Sequence, residues 1–448
     1  MQTKLKFGQK LSYGVADTAF SLTSTLIGVY FAIYLTDVVG IDPSLAAIAF
    51  FIGKSWDYVN DPLIGYISDR TRTKWGRRRP FLLFGAIPYA LAFVLLWTKC
   101  PWESNFGIVA YYALAYVLYD TFASFVYMPY FALTPDLTSD YDERTSLTAF
   151  RMFFSIFASL VAFIIPTMIT GAIEPANAGR FVLMAAIFAA VSAGCLLWTF
   201  FGTKENPENM QLEEPTFKES LRAALKNRPF IFSAIIYLFT WVAVGMLQTS
   251  LLYFIKYVIE REPMSDIIMG SIFIMAILVL PLWDWLSRKF NKRYAYALGI
   301  GFWAVVQVAL IFTTAATPLW GILVLCILAG IGVSAAHVLP WAIIPDAIEV
   351  DQLDTGNRHE GMFYSLIILA NKIAQSIAIP AMLLILDWTN YDGTAAVQTR
   401  EAINGIRLVV GPLPAALLIF GIIFALTYPL DREKYNEVRE KLAQLKKA

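Results

Sequence analysis

Charge is scarce in this chain. Asp, Glu, Lys and Arg make up 15% of its 448 residues, where a soluble domain carries about a quarter. Histidine occurs twice and cysteine three times. Cys100, Cys195 and Cys326 are scattered, with neither metal-ligand spacing nor a framework of bridges, and read as small apolar packing residues. Net charge is +1, from 35 basic and 34 acidic residues, so no overall field favours nucleic acid. The basic start MQTKLKFGQKLSYG is not followed by a short apolar stretch with a small-residue cleavage site, so no removable signal is expected. Apolar surface is what the chain has in quantity: 58% hydrophobic residues, 15% aromatic, and a mean hydropathy of +0.59. Many of the 21 prolines and 26 glycines lie inside apolar runs rather than in loops. This composition excludes disorder, fibrous repeats and disulfide scaffolds, and leaves too little polar surface for soluble domains. It predicts an all-α, polytopic membrane protein.

A bilayer core needs about 20 mostly apolar residues per helix. That ruler gives twelve spans, near 11–35, 44–68, 80–98, 106–134, 148–172, 179–202, 230–258, 265–287, 293–314, 318–345, 361–386 and 403–429. A polar stretch containing KENPENMQLEEPTFKES separates the sixth from the seventh. The expected organisation is therefore a six-helix bundle over 1–202, a linker over 203–229, and a second six-helix bundle with a tail over 230–448. Basic residues cluster in alternate connections: Arg70, Arg72, Lys74, Arg77, Arg78 and Arg79 after span two; Lys204, Lys218, Arg222, Lys226 and Arg228 in the linker; Arg288, Lys289, Lys292 and Arg293 after span eight. The connection TDVVGID has none. The charge rule puts the basic side, and both termini, in the cytoplasm. PLIGYIS at Pro62–Ser68 and PLWDWLS at Pro281–Ser287 echo each other before these loops, as parallel repeats would. Six plus six with such a repeat is the major-facilitator pattern. No selectivity-filter loop and no His- or Cys-rich cluster suggests a channel or an enzyme.

Ionisable groups inside a span are costly and mark pathways by default. Asp57 and Asp61, in GKSWDYVNDPLIG of span two, are four residues apart and share one helix face. Two carboxylates in low dielectric both stay ionised only beside a cation, and hard cations favour oxygen ligands. The pair predicts a Na⁺ or H⁺ site, completed by a hydroxyl or carbonyl from another helix. Ala276 and Leu280 stand at the corresponding places of the second half, so the pair is not part of the repeated scaffold. Lys54, three residues before Asp57, is a candidate ion-pair partner. Lys372, near the middle of span eleven, needs a carboxylate or water, and is expected to approach the acidic pair as a counter-charge. On span four, Asp120, Ser124, Tyr127 and Phe131 form one stripe, read as facing a cavity. Asp17, Arg151, Lys256 and Trp341 complete the candidate substrate residues, with His337 read as a packing histidine. Asp17 and Arg151 serve equally well as interface anchors. The loop from Arg70 to Arg79 is expected to gate the inner side by pairing with acids such as Asp136, Asp140 and Glu143.

These residues also carry a resemblance. WDYVNDPLIGYISDRTRTKWGRRRP, LSYG and YLTDVVG near the start, MPYFALTPDLTSDYDER after span four, and PDAIEVDQLDTGNRHEGMFYS before Lys372 resemble the glycoside–pentoside–hexuronide:cation symporter family over nearly the whole length. The resemblance implies a symporter that works by alternating access. It implies that Asp57 and Asp61 hold Na⁺, Li⁺ or H⁺, with Ser124 as the span-four hydroxyl and Lys372 in the same network. The Lys-Asp pair that binds sugar on span one of that family is replaced here by Phe20 and Ser21. Its sugar-binding acid on span four is replaced by Tyr127, and a following tryptophan by Phe131. The same superfamily branch includes animal Na⁺-dependent lysophospholipid symporters, which keep the acidic pair and the lysine while lacking the sugar carboxylates.

The expectation is a monomeric major-facilitator transporter of the inner membrane. It carries out cation-coupled symport of a small sugar, glycoside or uronide, with lysophospholipid symport as the alternative. A non-transporting receptor on this scaffold has no need to retain such a charged pair. No bond chemistry and no cofactor beyond the coupling ion are expected.

Overall fold

The computed structural model describes residues 5–138, 141–205, 217–356, 360–395, 397–430 and 432–445. Among these the chain is helical, and extended pairing is limited to one isolated bridge between Thr73 and Gly76. With no water at membrane depth, each spanning segment must satisfy its own backbone polar groups, which the helix does.

The first predicted span is built from α1 (Phe7–Gly14), α2 (Ala16–Leu26) and π-helical turns at Ile27–Phe31 and Tyr34–Val39. Gly40, at φ 81°, ends it in the left-handed region. Next come α3 (Pro43–Arg70), α4 (Arg79–Leu96), α5 (Asn105–Leu137), α6 (Tyr141–Thr170) and α7 (Ala178–Gly202). The second half has α8 (Phe217–Lys226), α9 (Arg228–Tyr257), α10 (Ser265–Lys289), α11 (Lys292–Leu310), α12 (Leu319–Thr355), α13 (Glu360–Trp388), α14 (Arg400–Val410), α15 (Pro412–Leu426) and α16 (Arg432–Leu445). Local chemistry starts several of them. Ser104, Asn227 and Thr399 accept backbone N–H bonds at the starts of α5, α9 and α14, and Pro43, Pro80 and Pro229 sit in first turns that need no donor. Internal prolines, such as Pro62 in α3 and Pro340 and Pro345 in α12, lie within continuous helix, as membrane helices tolerate.

Ten helices among the described residues are long and apolar enough to cross a membrane, with α14 and α15 together forming the last. The other two predicted spans fall on the α1–α2 segment and on α3. Lys54, Asp57 and Asn60 dilute the apolar character of α3. The twelve-helix, all-α reading of the sequence therefore stands.

The chain divides into two compact units. One is Met1–Leu212 together with Leu386–Gln398; the other is Glu213–Ile385 together with Thr399–Ala448. Thus the stretch after α13, which follows the eleventh span in sequence, packs with the first unit. There Tyr391 donates to Asp37 Oδ1 at 2.6 Å, and both residues are buried. Large apolar side chains such as Leu91, Phe153, Met168, Leu278 and Val305 are exposed, as lipid-facing residues are. Small residues bring helices together: a Cβ on Gly53 of α3 would collide with the Tyr116 ring of α5.

Candidate functional site

The close approach of α3 to α5 assembles the polar cluster of the first unit. Gly53 lets the helices meet, and the next turns of α3 present Lys54, Asp57, Asn60 and Asp61. Ser124 of α5 donates its hydroxyl proton to Asp61 Oδ1 at 2.5 Å. Both lone pairs of that hydroxyl remain for another ligand. Asp57 is 5% exposed. Lys54 Nζ lies 3.9 Å from Asp57 Oδ2 and 3.8 Å from Asp120 Oδ1, and 5.5 Å from the Tyr116 ring centre. Asn60 donates to the Asp120 backbone carbonyl at 3.2 Å. Three carboxylates, one ammonium and one hydroxyl thus come from two helices. Such a set has oxygen to offer a hard cation and one fixed cation to balance it. Asn60 gave no signal in the sequence, because an amide carries no charge to stand out in an apolar run.

A second cluster links the first span to α5 and α6. Arg151 Nε donates to Asp17 Oδ2 at 2.5 Å, and the Tyr130 hydroxyl donates to the same oxygen at 2.8 Å. The Arg151 guanidinium stacks 3.8 Å over Phe131. Tyr127 packs on Phe131 at 4.1 Å and edge-on to Phe20 at 4.6 Å. Asp17 and Arg151 are buried partners. The single stripe read on α5 therefore divides: Asp120 and Ser124 join the acidic cluster, while Tyr127 and Phe131 build an aromatic wall beside Arg151. Tyr130, one residue off the stripe, was not singled out by spacing.

The second unit gathers another aromatic group. Trp341 of α12 meets Tyr237 of α9 edge-on at 5.3 Å, and Trp241 packs on Tyr237 at 5.7 Å and on His337 at 5.2 Å. His337 Nδ1 hydrogen-bonds the Val333 carbonyl at 2.9 Å, a packing arrangement. Asn371 of α13 donates to the Tyr237 hydroxyl at 3.1 Å, and Lys372 is the next residue on that helix. Tyr237 and Trp241 are spaced by four on α9, a signal the charge-led reading passed over. Lys256 stands fifteen residues beyond Trp241, roughly 22 Å along the helix, with its ammonium over Tyr257 at 4.8 Å. It does not share the aromatic group of Trp341.

The basic loop after α3 is held by two acids. Arg77 forks onto both oxygens of Asp136 at 2.9 and 3.2 Å. Burial raises the Asp136 carboxyl above the ordinary aspartate value, with Arg77 pulling it down. Glu205, beyond α7, accepts the backbone N–H groups of Arg77, Arg78 and Arg79 at 2.6, 2.8 and 2.9 Å. It thereby caps the start of α4. Gly76 has φ 109° and no room for a Cβ against that carboxylate. Of the acids expected to meet this loop, Asp136 does, Glu143 binds Lys10 at 2.9 Å instead, and Asp140 lies outside the described residues. Glu205 was missed because it sits in a polar stretch read as linker.

Comparison with known proteins adds a family to this geometry. The family model described as MFS/sugar transport protein matches residues 12–432. The uncharacterized symporter YnaJ of Bacillus subtilis is 30% identical over 449 residues, covering 98% of this chain and 95% of that protein. The sodium-dependent lysophosphatidylcholine symporter 1-A of Danio rerio is 28% identical over 473 residues, covering 97% of this chain and 88% of that protein. Among solved structures, a bacterial homolog of the human lysosomal transporter Spinster shares the fold at TM-score 0.70 and 11% identity, with 98% of each chain covered. This chain belongs to the MFS/sugar transport protein family: it is a multi-pass membrane transporter and not an enzyme.

Proposed function

We propose that the protein is a cation-coupled symporter, of the glycoside–pentoside–hexuronide type, that works by alternating access. The coupling ion, Na⁺ or H⁺, is cargo held at Asp57, Asp61 and Ser124, with Lys372 of α13 as the charge partner. The observation that carries this reading is the 2.5 Å bond from Ser124 to Asp61 beside the buried Asp57. It joins the acidic pair to a hydroxyl on a second helix, as an oxygen-ligand site requires. The symporters among the relatives support the same reading. The transporter needs no other cofactor, works as a monomer in the cell's inner membrane, and keeps both termini in the cytoplasm.

The substrate is a small glycoside or uronide, a reading supported by the family description. Asp17, Lys54, Asp120, Tyr127, Arg151, Lys256 and Trp341 are the residues assigned to it. A second reading, lysophosphatidylcholine, is supported by the Danio rerio relative and by Phe20, Tyr127 and Phe131, which together give an apolar wall beside a guanidinium. Uptake into proteoliposomes with and without a Na⁺ gradient, and with a pH gradient alone, tests both. Accumulation of a labelled glycoside or uronide that collapses with the ion gradient supports the first reading, and lysophosphatidylcholine uptake of the same kind supports the second. Uptake of either at equal rates with and without both gradients would remove the symport reading itself.

A further inference from the structure

The two units repeat one arrangement and complete it differently. In the first, Pro135-Asp136 near the end of α5 is followed in space by Arg77, 2.9 Å away at the start of α4. In the second, Pro345-Asp346 of α12 holds Lys292 Nζ at 2.7 Å, at the start of α11. Glu205, three residues beyond α7, completes the first arrangement by laying a carboxylate on three backbone amides. The corresponding helix of the second unit is α15, and the described residues just beyond it, Thr427 to Leu430, carry no anion, while Asp431 lies outside the described residues. There the structure has a cleft of about 310 Å³, lined by Tyr428 and Leu430 and by Lys292, Arg293, Asp346 and Arg439.

Among the lining residues three are cationic, Lys292, Arg293 and Arg439, and one, Asp346, is anionic. Lys292 is matched by Asp346, while Arg293 and Arg439 add two guanidinium groups; Glu349, one turn further along α12, is not a lining residue but stands against Tyr435 of the wall. Tyr428 is 6% exposed, yet its hydroxyl has no hydrogen-bond partner among the described residues, and neither has Nε of Arg293. The start of α11, a 19-residue helix, also faces this place; its Asn291 cap reaches the Arg293 N–H only at 3.3 Å. Backbone N–H groups at a helix start, guanidinium forks and a phenol hydroxyl are donors that several oxygens of one tetrahedral anion can accept together. Half-exposed Phe290 forms part of the wall, which suits a group carried at a membrane surface.

We propose that this cleft binds a phosphate group, from a lipid headgroup or a soluble phosphate, in the position that Glu205 fills in the first unit. The site belongs to the second unit alone and is independent of the ion and substrate readings, because its test is binding and not transport. The full-length transporter in a neutral detergent is titrated by calorimetry with two probes, inorganic phosphate and short-chain phosphatidylglycerol. Saturable binding of at least one is expected, weakened about tenfold by Arg439→Gln, which removes a charged donor. Phosphatidylglycerol binding alone assigns the lipid source, and equal binding of inorganic phosphate assigns the soluble one. Arg439 lies on the exterior helix α16, so its substitution leaves the spans intact. Tyr428→Phe, which removes only a hydroxyl, is expected to weaken the same probe severalfold. Failure of both probes to bind the wild type overturns the proposal, as does unchanged affinity in both variants.

Discussion

Ser124 has one proton to donate and gives it to Asp61. That choice leaves its oxygen as an acceptor, so hydroxyl and carboxylate can face a cation together. Asp61→Asn keeps the shape and removes the charge. Cation-stimulated uptake is expected to be lost while substrate binding in detergent persists, and undiminished ion-driven uptake would sink the assignment. Ser124→Ala removes a single oxygen. The Na⁺ concentration for half-maximal uptake is then expected to rise about tenfold, on the order of 1.4 kcal/mol, the scale of one hydrogen bond to a charged group. A proton-coupled protein would show the shift in its pH dependence instead. Asp57 and Asp61 were legible in the sequence because four residues make one helical turn, and carboxylates in an apolar run have few roles. Lys54 was legible as a neighbour of Asp57, but not as a bridge to Asp120, since that contact depends on how α3 and α5 pack.

The start of α4 shows what one carboxylate does for an element. Its first amides have no partner within the helix, and from beyond α7 Glu205 satisfies that of Arg79 together with those of Arg77 and Arg78 just before it. Glu205→Gln keeps one acceptor oxygen and loses the charge. A destabilisation of about 2 kcal/mol is expected, within the range for bonds to charged groups, read as a lower melting temperature in detergent. Gly76→Ala is expected to do at least as much, through both its positive φ and the crowding of the carboxylate. If neither substitution moves the melting curve, the cap is ornamental to stability. Sequence reading found the basic loop and its partner Asp136, because opposite charges at the ends of neighbouring spans suggest each other. It could not find Glu205, whose partners lie 126 to 128 residues away.

At the scale of the whole molecule, two patterns are superposed. One is a scaffold repeat, visible in Pro135-Asp136 against Pro345-Asp346 and in paired connections after spans two and eight. The other is chemistry laid on one copy only: Asp57 and Asp61 have no acidic counterparts on α10, where Ala276 and Leu280 stand, while Ser124 does have one in Ser334 of α12. The units are also not consecutive blocks of sequence, since Leu386–Gln398 belongs with the first. A hydropathy ruler finds spans, but it cannot see that a short connection returns to Asp37 of a distant helix, 354 residues earlier in the chain.

Substrate choice follows from what surrounds the buried ion pair of Arg151 and Asp17 in the first unit. Arg151 is bound to Asp17, stacked on Phe131 and flanked by Tyr127 and Phe20. Aromatic faces suit either a sugar ring or an acyl chain, whereas a guanidinium prefers a carboxylate or a phosphate. A neutral galactoside would leave that preference unused, because the two carboxylates that bind sugar hydroxyls in the resembled family are Ser21 and Tyr127 here. Acidic glycosides or lysophosphatidylcholine are therefore expected to compete for binding where neutral galactosides do not. Arg151→Gln is expected to weaken the successful competitor about tenfold or more, since it removes a charged donor and leaves Asp17 without its partner. The companion substitution Asp17→Asn separates these effects: it frees Arg151, and is expected to tighten an anionic substrate if the two compete for the same guanidinium. If neutral galactosides bind and no acidic ligand displaces them, the charge argument is wrong, and the aromatic wall alone sets specificity.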